Sequence, residues 1–173
     1  MMQTRSVPAA HRPHTSWEIA PVAHDAVAEV KGLFLKLHQY NASLDPRFAL
    51  AEDWERTFAT SIEHALVGQD HLTLLARERG RPAGLLLAAA HADSSLWRHR
   101  EWAEVEALYV EHPWRGTGLA DELLDRAVGW AAERGLPAVQ LSVTASNARA
   151  MHFYERQGFC PAQAIMRTLL PAG

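Results

Sequence analysis

The chain has 173 residues, enough for one domain with a sizeable core. Apolar residues make up 48% and charged residues 21%, the balance of an ordinary globular domain, and no apolar run reaches the roughly 18 residues of a membrane span. A net charge of −3 without a basic block argues against a nucleic-acid partner, and the single cysteine, Cys160, excludes an internal disulfide or a Cys-based zinc site and fits a reducing cytoplasm.

Residues 1–15 are polar, hold Pro8, His11, Pro13 and His14, and lack the apolar centre of a secretory signal; they read as a flexible arm ahead of one domain over residues 16–173. Trp17 to Val22 reads as a strand that stops near Pro21. From Asp25 to Tyr40 the apolar positions 27, 30, 33, 34 and 37 follow a helical period. Asn41 to Ala51, with Asp45-Pro46, reads as a loop. Glu52 to Val67 is a second helix, with Trp54, Phe58, Ile62, Ala65 and Leu66 on one side and Gly68 at its end. His71–Arg79 and Arg81–His91 are strands joined by the turn Arg79-Gly80-Arg81-Pro82, a hairpin. A polar loop over 92–101 leads to a strand from Glu101 to Glu111. Thr117 to Arg134 is a helix stopped by Gly135-Leu136-Pro137. Ala138 to Thr144 reads as a buried strand, Ser146 to Gln157 as a short helix capped by Asn147 and ended by Gly158, and Phe159 to Leu170 as a last strand. This order predicts an α/β chain built on a mixed sheet with helices on both faces.

The most informative stretch is 104–120, where an alternating strand enters the turn Arg115-Gly116-Thr117-Gly118-Leu119-Ala120 and the turn enters a helix. Gly116 and Gly118 let the backbone curl close to a bound group. The first N–H groups of the helix have no internal partner, and with the helix dipole and Arg115 they form a cradle for a phosphate or pyrophosphate. No Lys-Ser or Lys-Thr follows the glycines, so a nucleoside-triphosphate loop is not indicated. The ten histidines show no His-Glu-x-x-His pattern and no Cys/His cluster, so no metal is expected.

Two segments together resemble the GNAT superfamily of acyl-CoA-dependent N-acyltransferases. One is Ala107-Leu108-Tyr109-Val110 followed by Arg115-Gly116-Thr117-Gly118-Leu119-Ala120; the other is Asn147 to Phe159, with its Asn, Ala, Tyr and Gly-Phe positions. The resemblance implies a single-domain fold with a mostly antiparallel central sheet whose fourth and fifth strands splay apart. It implies acetyl-CoA as cosubstrate, its pyrophosphate on the amides from Arg115 to Ala120 and its pantetheine arm along Leu108, Tyr109 and Val110. The amide of Val110 is then a candidate to polarise the thioester carbonyl. Asn147 and Arg149 are candidate cofactor contacts, with a helix cap and a solvated charge as their plainer readings.

N-acyl transfer needs a neutral amine, yet an alkylamine with a pKa near ~10 arrives protonated, so a base must take the proton. Glu104 and Glu106, two apart on a strand, share one face with Cα atoms about 6.6–6.8 Å apart. Glu104 sits where several family members place a catalytic glutamate; Glu106 is its rival if the strand is bulged. Tyr154 resembles the family's tyrosine beside the leaving sulfur. Donating a phenol proton of pKa ~10 to a thiolate of pKa ~8.5 is uphill by about 2 kcal/mol, so a hydrogen bond to the thiolate is the expected role. Cys160 is expected in the core, and His152 on the surface.

The front half, residues 16–103, matches the family only in its order of elements, and the resemblance leaves the acceptor open. Tyr40, Asp45, Glu52 and Asp53 would suit a cationic amine. Trp97 and Trp102 stand as candidates for the cleft, a homodimer interface or the core. The expected activity is acetyl transfer to a small-molecule primary amine; a non-catalytic acyl-CoA sensor on the same fold is the alternative.

Overall fold

The computed structural model describes residues 17–168. The arm expected over 1–15 and the end of the last expected strand, 169–170, lie outside them. Five strands form one sheet in chain order: β1 (Trp17–Pro21), β2 (His71–Glu78), β3 (Arg81–Ala92), β4 (Glu101–Val110) and β5 (Val139–Leu141). All neighbours are antiparallel except β4 and β5, which run parallel. The β2–β3 hairpin turns at Arg79 and Gly80, with φ of 49° and 75°. Two successive positive φ angles match the right-handed twist of the strands they join.

Helices α1 (Val27–Leu44) and α2 (Trp54–Val67) cover one face; α3 (Leu119–Glu133) and α4 (Ala148–Arg156) cover the other. The central strand β3 is therefore buried on both sides, which accounts for its unbroken apolar run from Ala83 to Ala89. Val30 and Leu33 of α1 and Phe58 and Ile62 of α2 pack on Leu75, Leu85 and Leu87. On the other face Leu119, Leu123, Leu124 and Ala127 of α3 pack on Leu74, Leu86 and Val105. Each such buried leucine contributes about 1.5–3 kcal/mol. Polar ties fix the layers in register: Arg77 makes a two-pronged pair with Glu29 (2.9 and 3.0 Å), and the Trp17 indole donates to Glu122 (2.9 Å).

Several expectations need correction. The helix α1 runs through the expected loop as far as Leu44 and stops at Asp45 (φ −152°, ψ 110°), because the ring of Pro46 disfavours helical backbone in the residue before it. The strand expected over 138–144 is three residues long, with Gln140 exposed, because only Val139, Gln140 and Leu141 pair with β4. Residues 159–168 contain no strand, and Ile165 and Met166 are exposed. Pro161 removes a ladder donor there, and none of these residues enters the sheet. Cys160, on that segment, is exposed rather than in the core. Of the three places open to Trp97, its exposure removes the core.

Candidate active site

Past Val105 the two parallel strands part. Pairing between β4 and β5 covers only Ala103–Val139, Glu104–Gln140 and Val105–Leu141. From Ala107 to Val110, β4 keeps its pairing with β3 but has no β5 partner. The N–H of Glu111 donates to Ala83 O on the β3 side (2.9 Å). Backbone groups alternate sides along a strand, so the N–H and C=O of Val110 and Leu108 face the open edge, while those of Tyr109 face β3. The Val110 carbonyl is met there by Arg115, whose Nε donates to it (2.9 Å). The Arg115 guanidinium also lies 5.6 Å from the centre of the Tyr109 ring, so this side chain folds back on the strand.

The glycine turn sits at the mouth of the gap. Gly116 and Gly118 have φ of 79° and 97°, and a Cβ on either would have open space around it. The helix begins at Leu119, two residues later than the periodicity predicts, with Gly118 as its cap and no side-chain cap bond. Glu122 N–H, bonded to Gly118 O (3.0 Å), starts the helical ladder, so the N–H groups of Leu119, Ala120 and Asp121 precede it. Thr117 turns its hydroxyl to Trp114 O (2.6 Å). Two carboxylates in the first turn of α3 could compete with an anion, but each is engaged elsewhere. Asp121 accepts from the Gln157 amide (2.5 Å), and Glu122 from Trp17. The cradle is open, rich in donors, and fits a pyrophosphate.

The β3–β4 register slips by one residue: Leu87 pairs with Ala107 and Ala88 with Val105, so Glu106 is the extra residue of a β-bulge. A bulge re-aims the side chain it carries. Glu106 lines a cavity of about 480 Å³ between the α1–α2 layer and the sheet. Glu104 accepts a hydrogen bond from the Trp102 indole (2.8 Å), and Trp102 in turn packs on His91 at 4.4 Å between ring centres.

Tyr154 lies on α4, packed edge-on between Phe153 and Phe159 at 5.1 and 5.7 Å. Burial pushes its phenol up to about 12, so it stays protonated throughout the neutral range. Asn147 caps α4, its side-chain oxygen accepting from Ala150 N–H (3.2 Å), and Arg149 is exposed. His152 is exposed.

The acidic residues between α1 and α2 are not aimed at the cavity. Asp45 accepts from Arg47 (2.8 Å to Nε), which holds its carboxyl down at about 2; Asp53 pairs with Arg56 (2.7 Å). The cavity wall is aromatic instead, with Phe34, Trp54 and Phe58 clustered at 4.9–6.1 Å between ring centres. His38 packs tilted against Phe34 at 4.2 Å between ring centres, and burial lowers its pKa, which favours the uncharged ring. Periodicity assigned these side chains to helix faces turned inward but carried no signal of the cavity beside them. A second missed group is Lys36 on α1, which pairs with Glu111 and has its pKa raised by that contact. Among the described residues, no group of three or more His, Cys, Asp and Glu is placed to hold a metal ion, and no helix is long and apolar enough to cross a membrane.

The acetyltransferase (GNAT) family model matches residues 37–159. An uncharacterised N-acetyltransferase of Methanocaldococcus jannaschii is 34% identical over 80 residues, 46% of this chain and 35% of its own length, so the match spans about a third of that relative. A mutant of the BH1408 protein from Bacillus halodurans superposes with a TM-score of 0.77 at 18% identity, covering 88% of this chain and 99% of its own. The enzyme AAC(6')-Iy, solved with a bisubstrate analogue, CoA-S-monomethyl-acetylneamine, gives a TM-score of 0.70 at 15% identity, covering 91% of this chain and 100% of its own. At such identities the structural likeness establishes the fold.

Proposed function

The chain belongs to the GNAT family of acetyltransferases, and on that premise we propose that it transfers an acetyl group from acetyl-CoA to the primary amine of a small molecule by direct attack. The observation that carries this reading is the parting of β4 from β5 beyond Val105, which leaves the Leu108 and Val110 backbone groups beside the open N-terminus of α3. An extended pantetheine arm pairs with such an edge as an added strand would. The α3 amides and the turn of Gly116 and Gly118 hold the pyrophosphate. Asn147 and Arg149, at the start of α4, are the further cofactor contacts.

Acetyl-CoA supplies a thioester whose carbonyl carbon takes the amine nitrogen while its sulfur leaves with the C–S electron pair. The Val110 N–H donates to the carbonyl oxygen as negative charge gathers there. Glu106, re-aimed by its bulge into the cavity, takes the amine proton directly or through one water; its position supports it over Glu104, which holds Trp102. Tyr154 donates a hydrogen bond to the departing sulfur. With its phenol at about 12 and a thiol near ~8.5, full proton transfer would be uphill by roughly 5 kcal/mol, so the phenol keeps its proton.

The test is calorimetric titration with CoA alongside thiol release from acetyl-CoA over an amine panel. Uptake of CoA with amine-dependent thiol release is the expected result. Uptake without turnover of any amine favours the acyl-CoA sensor, and absence of uptake overturns the proposal.

A further inference from the structure

We infer that the acceptor is an apolar, singly charged primary amine, aryl- or branched-alkyl, rather than a polyamine or an amino sugar; this rests on the acetyl-transfer reading above. The cavity beside the β4 bulge has the size of a small-molecule site, about 480 Å³. Its wall is formed by Phe34 of α1, Trp54, Phe58 and Ile62 of α2, and Leu87 of β3. Glu106 is the one carboxylate among its described lining residues. The hydroxyls of Thr57, Ser61 and Thr73 add hydrogen-bonding capacity but no negative charge. His38 and His71 also line it and bring no negative charge either.

This pattern matches one kind of ligand. A single ammonium meets the single carboxylate, and an apolar body fills the aromatic wall, where a ring can pack edge-on or offset against Phe34, Trp54 and Phe58. A polycation would carry further charges into an apolar space whose wall holds no second carboxylate among the described lining residues, Asp45 and Asp53 being paired with Arg47 and Arg56. A sugar would bury hydroxyls against Phe58, Ile62 and Leu87. AAC(6')-Iy, which shares this fold, was solved with CoA-S-monomethyl-acetylneamine, so neamine is the amine to set against the apolar ones.

The experiment uses the full chain with saturating acetyl-CoA and measures thiol release with 2-phenylethylamine, 3-methylbutylamine, spermidine and neamine. The two apolar amines are expected to exceed spermidine and neamine in kcat/KM by at least about 30-fold. Trp54→Ala should raise KM for 2-phenylethylamine about tenfold while the thermal shift given by CoA persists. Ser61→Asp, which places a second carboxylate in the cavity, should move the preference toward spermidine by about tenfold, and it serves if Trp54→Ala does not fold. CoA uptake with neamine or spermidine as the better acceptor overturns this inference alone. Loss of both CoA uptake and all thiol release overturns it together with the acetyl-transfer reading.

Discussion

Replacing Gly118 by alanine separates the strain in the glycine turn from its hold on an anion. At φ of 97° a Cβ is strained whatever the space around it, at a cost of about 1–2 kcal/mol. The alanine chain loses less entropy on folding, which offsets about 0.4–1 kcal/mol. No atom lies within 4 Å of the added Cβ, so there is no steric term, and the net loss is about 1 kcal/mol. For a chain of this length that lowers Tm by about 2–4 °C. Gly80 is the matched control: its φ is 75°, its Cβ also meets nothing, and it lies in the β2–β3 turn. Both variants should lose similar stability by thermal melting. Only Gly118→Ala should weaken CoA, by tenfold or more in calorimetry, because Gly118 caps α3, where the pyrophosphate is proposed to sit, and Gly80 does not; tenfold is about 1.4 kcal/mol. Equal CoA affinity in the two variants would refute the placement of the pyrophosphate.

Glu106→Gln should lower kcat/KM by about 10²–10⁴-fold at neutral pH with CoA uptake retained, whereas Glu104→Gln should cost less than about threefold, since an amide oxygen still accepts from Trp102; the opposite ranking in steady-state kinetics makes Glu104 the base. Tyr154 has a folded pKa of about 12 against about 10 unfolded, so its contribution is fully present below pH 10 and fades as pH rises toward 12, by up to roughly 3 kcal/mol. Denaturant melts of Tyr154→Phe should lack that part of the alkaline loss, and its kcat should fall while CoA affinity holds; a kcat equal to that of the parent removes the phenol from the reaction. Gly84→Ala places a Cβ 3.1 Å from a Leu123 methyl, 3.2 Å from Tyr109 O and 3.3 Å from a Leu119 methyl, and should destabilise by about 1–3 kcal/mol through overpacking, read as a lowered midpoint in urea; an unchanged midpoint would mean that α3 yields at no cost.

Local chemistry carried much of this protein in its amino-acid order. The hairpin followed from Arg79-Gly80, the turn into α3 from two glycines ahead of an apolar helical stripe, and the cap of α4 from Asn147, because each depends on a few neighbouring residues. Tertiary packing decided the rest. The bulge at Glu106 is a slip between two strands, and neither strand alone records it. The length of β5 is set by how far β4 stays beside it, so an apolar stretch read as a full buried strand contributes three paired residues. The cavity exists because α1 and α2 stand off from the sheet where Phe34, Trp54 and Phe58 meet, and periodicity reports which face turns inward but not how far it closes. Charge behaved in the same way: Asp45 and Asp53 suited a cation by composition, and in the fold they pair with Arg47 and Arg56 and do not line the cavity.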